Sequence, residues 1–267
     1  MKKYLAIFNI SFQEEFAYRW SFIMWRVRNV IQVFLIFSLW NAVFYNSTRQ
    51  VFGYSRDMIL TYVFGILIIR AIVFSARTVD ISDQISTGEM SNLLLKPVNF
   101  FKYWLVRDLS SKVLNLIFAV GETAILFLLL KPPFFLQTNP INLLGFVFSV
   151  ILALFIFFCL LFLANMVAFW APEMGWSIQF LFIMIIGEFL SGSAFPLDIL
   201  PLGVQKVLSY LPFSYLVFFP LQVYLGKISG LLMGRGLLIA LVWAVLLVII
   251  LRFVWNKGIK RYAAEGR

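Results

Sequence analysis

Histidine is absent from this chain of 267 residues, and cysteine occurs once, at Cys159. Without histidine the chain offers no imidazole for general-base catalysis or for binding a metal ion, so catalytic and metal sites that depend on histidine are excluded. A single cysteine cannot form a disulfide within the chain, and the loops must therefore be held by other interactions.

Charged residues are also scarce, at 13% of the sequence, against about 25% in a typical soluble domain. Hydrophobic residues make up 62%, with 31 Phe and 8 Trp, and the mean hydropathy is +0.94. One soluble core cannot enclose so much apolar surface, so the lipid bilayer must be the solvent. We therefore expect an all-α polytopic membrane protein in which residues 1–267 form a single transmembrane domain.

Acidic residues are outnumbered by basic ones, 12 against 22, which gives a net charge of +10. In a soluble protein this excess would suggest a nucleic-acid partner. In a membrane protein it is typical of Lys and Arg retained on the cytoplasmic side, so we expect membrane lipids, and no nucleic acid, among the partners.

Six stretches are long and apolar enough to cross the hydrocarbon region, which takes about 20 residues as a helix. They cover residues 22–45, 58–75, 113–130, 142–169, 177–194 and 232–254. Six crossings put both termini on one side. With that side as the cytoplasm, fifteen Lys and Arg fall inside and six outside, which predicts cytoplasmic termini in the cell (inner) membrane and a cytoplasmic tail at residues 255–267.

The segment before the first span, residues 1–21, has a helical apolar stripe. Its members recur at spacings of three and four, at Leu5, Phe8, Phe12 and Phe16. Glu14 and Glu15 lie off this stripe, so the pattern predicts an amphipathic helix in the cytoplasmic interface with both acids on its polar face. The acids also interrupt the apolar core that a signal peptide needs, so we expect no cleavable signal peptide.

A polar region, residues 76–112, separates the second and third predicted spans. Within it Ser86 or Thr87 can end a helix and Gly88 permits a turn. Leucines at 93–95 lead back toward the membrane, and the aromatic residues at 100–104 are typical of interfacial anchors. We predict a short helix that protrudes into the cytoplasm; an ordinary connecting loop is the alternative.

Residues 195–231, between the last two spans, are apolar but repeatedly interrupted. The interruptions are Pro196, Asp198, Pro201, Lys206, Pro212 and Pro220. Because no stretch here crosses a bilayer without a break, two short helices that enter the outer leaflet and return fit better than two further spans, which remain the alternative.

Apart from the Lys and Arg already assigned to one side of the membrane, three ionisable residues, Arg70, Glu122 and Glu188, fall within predicted spans. A charge at this depth costs about 2.5–3.5 kcal/mol for Arg on insertion scales, so it needs a partner or a water path. Arg70 and Glu122 stand at comparable depth on consecutive helices, and we predict an ion pair between them. The pair would either fix helix register or break during transport. Glu188 has no obvious cation partner and would be protonated, face a cavity or meet a symmetry mate.

The chain has no phosphate-binding loop of the pattern G-x-x-x-x-G-K-[ST], so we expect it to hold no nucleotide by that route. Two other function classes stay open. A membrane-embedded lipid-processing enzyme would need converging carboxylates, for which Asp80, Asp83 and Glu89 are candidates as metal ligands. A stand-alone ion-coupled transporter is the other alternative. Because acids in a short surface helix are usually only solvated, we expect no catalytic residue, no metal and no cofactor in this chain.

Three motifs resemble, in their order along nearly the whole chain, the membrane subunits of type-2 ABC exporters. The first is I-x-x-G-E/x-x-x-L-L-x-K/R-P-V, matched from Ile85 to Val98. The others are Phe195-Pro196-Leu197-Asp198 followed by Leu211-Pro212-Phe213 and Pro220, and Lys260-Arg261-Tyr262 with Gly266 near the end.

This resemblance implies a permease present with a second copy or a homologue, docked on two ATP-binding subunits that hold ATP and Mg²⁺. The predicted short helix would be a coupling helix. Its contact with the ATPase would involve Asp83, Gln84, Ile85, Ser86, Thr87, Gly88 and Glu89. The aromatic, weakly charged spans favour an amphiphilic or apolar substrate such as a lipid, drug or peptide.

Overall fold

The computed structural model describes residues 2–17, 19–44 and 50–262. These residues form helices and no strand, apart from one isolated antiparallel bridge between Val51 and Tyr54. The expectation of an all-α polytopic membrane protein is confirmed. The last residues of the predicted tail, 263–267 with Gly266, lie outside the described residues.

The helices follow one another with short connections. The α-helices are α1 Lys2–Ala17, α2 Arg19–Val43, α3 Arg56–Val73, α4 Asp80–Ser86, α5 Met90–Leu94, α6 Phe100–Leu130, α7 Pro140–Asn165, α8 Gly175–Leu181, α9 Leu202–Tyr210, α10 Phe218–Tyr224 and α11 Gly230–Gly258. The 3₁₀-helices are Arg77–Val79, Met166–Phe169, Pro172–Met174, Leu197–Ile199 and Pro212–Tyr215, and a π-helix, Phe182–Leu190, continues α8.

Five helical segments of the described chain are long and apolar enough to cross a membrane. They are Phe22–Val43, Phe100–Leu130, Pro140–Phe169, Pro172–Leu190 and Gly230–Gly258. A sixth crossing arises if α3 and the following Arg77–Ser86 are one span, bent by 52°. Each of the five overlaps a stretch predicted from the sequence, and the remaining predicted stretch, 58–75, overlaps α3 of the bent pair.

The third predicted span, 113–130, is the second half of a much longer helix. α6 begins at Phe100, where the Asn99 side chain accepts a hydrogen bond from the Lys102 amide at 3.0 Å, and it runs for 31 residues. At about 1.5 Å per residue it exceeds the roughly 30 Å hydrocarbon core. Residues 100–112, predicted as part of the polar region between the spans, are therefore the first turns of this helix, because no proline interrupts it and Asn99 caps its start.

The break after α3 is filled by two side chains of α6. Lys112 donates to the carbonyls of Val73 at 3.1 Å and Ser75 at 2.5 Å, which the bend leaves without helical partners. Asp108 accepts the backbone N–H of Arg77 at 2.9 Å and lies 3.2 Å from Lys112. Both side chains are buried. The bend is therefore satisfied from within the protein, as the interior of a membrane protein requires.

The two short helices before the last span pack differently from each other. α10 is buried against α3 and α7. It packs so closely on α3 that a Cβ added at Gly65 would clash with Leu221 Cδ2, at 2.4 Å. α9 exposes Leu202 and Val207 and buries Leu208. Nine and seven residues are too few to cross a bilayer, so two short helices, rather than two further spans, are what the structure contains.

A polar cluster holds residues 195–231, the region of the two short helices, to the loop before α3. The Tyr54 hydroxyl donates to Asp198 at 2.8 Å, and Lys227 lies 2.7 Å from the same carboxylate and 3.3 Å from the centre of the Tyr54 ring. Gln222 also donates to the Tyr54 hydroxyl. Burial, with a smaller contribution from Asp198, raises the pKa of Tyr54 far above its ordinary value, so the phenol remains a donor.

Helix α1 lies along α6, and its acidic residues face inward. Glu14 and Glu15 are half-buried and point at arginines of neighbouring elements, whereas Leu5 of the predicted apolar stripe is 61% exposed. The expectation that both acids form the exposed polar face is wrong, because ion pairs across the bundle outweigh solvation of the carboxylates. The side chain of Phe16 lies outside the described part of the chain.

Substituting Lys112→Met should lower the free energy of unfolding by about 3–5 kcal/mol, because Asp108 is left buried and unpaired. Cys159 is the single cysteine and is buried, so its reaction with a thiol-specific fluorophore on heating reports unfolding in detergent. Lys102→Met, at an exposed position of the same helix, should stay within about 0.5 kcal/mol of wild type. Equal effects of the two substitutions would contradict a role for Lys112 at the break.

Candidate functional site

A cavity of about 880 Å³ lies among α1, α2, α3, α6 and the start of α4. Five arginines line it: Arg26, Arg28, Arg70, Arg77 and Arg107. Three acids line it as well: Glu14, Glu15 and Asp80. Phe22, Trp25 and Phe74 supply aromatic surface. A volume of this size is within the usual range for a small-molecule site, about 300–1,000 Å³.

Two buried ion pairs form the inner part of this cavity. Arg70 binds Glu188 with two hydrogen bonds of 2.7 and 2.6 Å, and Gln32 donates to the same carboxylate at 2.8 Å. Arg26 binds Glu122 through its Nε at 2.6 Å and through a second guanidinium nitrogen. Both geometries are bidentate, which is the strongest way in which arginine pairs with a carboxylate.

The predicted pair between Arg70 and Glu122 is therefore wrong, although all three intramembrane charges are ion-paired. The prediction used position along the helices, and that position alone does not fix the direction in which a side chain points. Glu188 stands in the π-helix, whose wider winding changes the direction of each side chain relative to an α-helix. Glu122 is instead reached by Arg26 of α2, and the expectation that Glu188 lacks a cation partner is also wrong.

Acids and arginines are layered at the other end of the cavity. Arg77 donates to Glu15 at 2.9 Å, and Arg107 donates to Glu14 at 2.6 Å. Asp80 lies between the two arginines, 3.7 Å from Arg77 and 3.9 Å from Arg107. These contacts tie α1 to α6 and to the start of α4, so the N-terminal helix forms one wall of the cavity.

The Gly88 segment, defined here as residues 80–94, contains the predicted short helix. It consists of α4, a turn with Gly88 at φ +79°, and α5. The predicted contact residues divide by burial: Asp83, Thr87 and Glu89 are exposed, Gln84 and Ser86 are half-buried, and Ile85 and Gly88 are buried. The segment is thus packed on the end of the bundle and does not protrude freely, because its apolar face is covered.

Polar contacts also attach α4 to the chain around α8. Gln179 of α8 donates to the carbonyl of Val79 at 2.7 Å and to Ser82 Oγ at 2.6 Å. Ser86 Oγ donates to the carbonyl of Pro172 at 3.1 Å. A Cβ at Gly175 would lie 2.8 Å from Ser82 Cβ, so a glycine is needed where α8 passes α4. Hydrogen bonds and close packing therefore hold α4 against the start of α8.

The turn at Gly88 is attached to the end of α11 by one phenol. Tyr262 donates its hydroxyl hydrogen to the Gly88 carbonyl at 2.6 Å and accepts the Ser91 amide at 3.1 Å. Its ring also packs edge-on against Phe169, with centroids 6.2 Å apart. One side chain near the end of the described chain thus connects the Gly88 segment with the last span.

The three acids considered for a metal site do not converge. Asp80 faces Arg77 and Arg107, while Asp83 and Glu89 are exposed on the Gly88 segment. Across the residues with described positions, no group of three or more Asp, Glu or Cys side chains is close enough to share a metal ion.

A family model described as "ABC-2 family transporter protein" matches residues 30–266 of this chain. The chain belongs to this family. The resemblance inferred from the three motifs is thereby confirmed, and the chain is a membrane permease of an ABC transporter, a class of subunit without its own ATPase site. A search of curated proteins gave no significant match.

Sequence reasoning missed Arg26 and Tyr262 as site residues of this ABC-2 permease. Arg26 counts as a cytoplasmic cation under the positive-inside rule, although it falls within the first predicted span. A cation at that position, together with an acid in a later span, is the signal that could have suggested the pair with Glu122. Tyr262 belongs to the third motif, but the motif does not reveal its contacts, because they depend on the folded position of α11.

Removing one partner of either buried pair should destabilise the permease by about 3–5 kcal/mol, because the other charge stays buried. Arg26→Met should be partly rescued by adding Glu122→Leu, and Arg70→Met by adding Glu188→Leu. When Arg26→Met is combined with Glu188→Leu, or Arg70→Met with Glu122→Leu, the two losses of stability should add. The stability of every variant is measured by thermal unfolding, followed through the reaction of Cys159 with the thiol-specific fluorophore. Rescue of Arg70→Met by Glu122→Leu alone would restore the pairing predicted from the sequence.

Loss of the Tyr262 hydroxyl should loosen the Gly88 turn without removing the ring that packs on Phe169. In Tyr262→Phe, amide exchange of peptides that cover residues 86–92 should accelerate about tenfold, the effect of losing roughly 1.4 kcal/mol of local stability. Hydrogen exchange with mass spectrometry measures this. Peptides from the middle of α7 serve as the internal reference, and unchanged exchange at 86–92 would contradict the contact.

Proposed function

We propose that this chain is the permease subunit of an ATP-driven exporter, in which separate ATP-binding subunits act on the Gly88 segment. The observation that carries the proposal is that this segment exposes a polar surface while its other side is bonded to the spans. A surface that transmits force needs both properties, since a loosely attached loop would absorb the motion. The exposed residues Asp83, Thr87 and Glu89 form the proposed coupling surface.

Burial divides the roles of the remaining predicted contact residues. Ile85 is 6% exposed, and Ser86 bonds to the Pro172 carbonyl, so these residues attach the segment to the permease and do not face a partner. Leu95, just after the segment, is 85% exposed and offers an apolar contact beside the charged ones. An ATPase groove that takes this edge would meet two carboxylates and one leucine.

Three connections would carry the motion into the membrane. The first runs from α4 through the break beside Lys112 to α3. The second runs through Gln179 to α8 and its π-helix. The third runs through Tyr262 to α11. The cavity lies between the first two connections, so displacement of the Gly88 segment would change the spacing of Arg70 and Glu188, which stand on those two helices.

The complete transporter would contain two permease copies, or this chain and a homologue, with two ATP-binding subunits that hold ATP and Mg²⁺. In this arrangement both termini and the Gly88 segment face the cytoplasm of the cell membrane, as the distribution of Lys and Arg favours. The cavity would be the start of an outward path. Its mixture of ion pairs and aromatic rings suits an amphiphilic substrate.

Substituting Asp83→Asn together with Glu89→Gln should weaken the complex with the ATPase and reduce substrate-stimulated ATP hydrolysis at least tenfold. Loss of two charge-assisted contacts at an interface is the physical reason. Copurification of the ATPase and hydrolysis in reconstituted vesicles measure the two effects. Asp57→Asn, at the start of α3 and far along the chain from the Gly88 segment, is the control and should behave as wild type.

If the double variant still copurifies with the ATPase and keeps normal substrate-stimulated ATP hydrolysis, the proposed contact is contradicted. Absence of any copurifying ATPase with the wild-type permease would go further and favour a stand-alone transporter. Thermal unfolding followed at Cys159 verifies that the variant is folded, since both substituted residues are exposed and should leave stability unchanged.

A further inference from the structure

One cation of the cavity has no close carboxylate. Arg26, Arg70, Arg77 and Arg107 each lie within 2.9 Å of an acidic oxygen. The nearest acidic oxygen to Arg28 belongs to Glu188, at 3.8 Å. That carboxylate is already held by Arg70 and Gln32. Among the described residues that line the cavity, Arg28 is thus the arginine whose charge is left for another partner.

The charges of the cavity are also separated along its length. The inner layer has three cations, Arg26, Arg28 and Arg70, against Glu122 and Glu188. The outer layer has two cations, Arg77 and Arg107, against Glu14, Glu15 and Asp80. The inner layer therefore carries one excess positive charge, and it is located at Arg28. The side chain of Arg28 is 39% exposed, and its guanidinium lies over the Trp25 ring, 4.9 Å from the ring centre.

An apolar groove adjoins the cavity on the outside of α2. It has a volume of about 320 Å³ and runs between α2 and α6, with walls that include Val27, Ile31 and Phe118. The Arg26–Glu122 ion pair also lines it, whereas Arg28 lines only the cavity. Phe22 and Arg26 line both the groove and the cavity. A ligand that crosses this shared wall would place a polar group among arginines and a hydrocarbon chain against aliphatic and aromatic side chains.

We propose that the cavity and groove bind a single-chain anionic amphiphile, with its head on Arg28 and its hydrocarbon chain in the groove between α2 and α6. The excess positive charge selects an anionic head, and a groove of about 320 Å³ has room for one hydrocarbon chain. The binding site stands on the structure alone. That the amphiphile is cargo rests on the proposed permease function, and in that role it enters at the inner layer and leaves when the spans move.

Photolabelling of the purified permease in neutral nanodiscs tests this assignment. The probe is a sixteen-carbon fatty acid with a diazirine in the chain, compared with the alcohol and the amine of the same chain. The carboxylate probe should label peptides of α2 and α6 at least tenfold more than the alcohol, because a charge-assisted contact to arginine distinguishes them. Mass spectrometry of the digested protein locates and quantifies the labels.

Variants at Arg28 identify the head-group contact. Arg28→Gln should reduce the labelling ratio of carboxylate to alcohol to about one, and Arg28→Glu should reverse the preference in favour of the amine. Arg252→Gln, an exposed arginine on α11, should retain the wild-type ratio. Labelling of Cys159 reports whether the Arg28 variants are folded. If they are not, the comparison of the three probes on wild type still decides whether an anionic head is preferred.

Three results would overturn the assignment. They are equal labelling by the three probes, a preference that survives Arg28→Gln, and labels that fall mainly outside α2 and α6. Loss of labelling when anionic phospholipid is added to the nanodiscs would identify a membrane phospholipid as the occupant, against the single-chain ligand. Because labelling needs neither ATP nor an ATPase, its failure is distinguishable from failure of the coupling experiment.

Discussion

The contact of Lys112 with the end of α3 is the interaction on which this architecture depends. A helix that stops inside a membrane protein leaves carbonyl groups without partners, and each costs free energy unless a donor reaches it. The Lys112 ammonium supplies that donor for Val73 and Ser75, and Asp108 balances its charge. With the backbone satisfied, the chain can bend by 52° and present the Gly88 segment at the end of the bundle.

Arginine and glutamate are distributed around the cavity so that burial of charge is almost balanced. Burial of an ion pair is weak support for stability, since desolvation consumes most of the attraction. Such pairs are better explained by what they position: Arg26 with Glu122 holds α2 on α6, and Arg70 with Glu188 holds α3 on the π-helix. Four of the five arginines are neutralised in this way, so a single uncommitted cation can decide which ligands the inner layer accepts.

The apolar runs and the breaks between them could be predicted from the sequence, and the partners of polar side chains could not. Hydropathy over about 20 residues found the five segments of the described chain that can cross a membrane, because lipid imposes that length on a helix. The pairing of Arg70 failed, because the choice between Glu122 and Glu188 depends on helix rotation and on the π-helix. The inward position of Glu14 failed for a related reason, since its partner Arg107 is remote in sequence.

The cavity and the Gly88 segment share one element, the 3₁₀ turn from Arg77 to Val79. On one side Arg77 binds Glu15 and lines the cavity, while on the other the Val79 carbonyl accepts a hydrogen bond from Gln179 and Val79 leads into the Gly88 segment. A force on that segment therefore reaches the charged layer of the cavity without passing through the length of any span. Access to the inner layer would then change when the outer ion pairs shift, and a head group on Arg28 would respond to an event at Gly88.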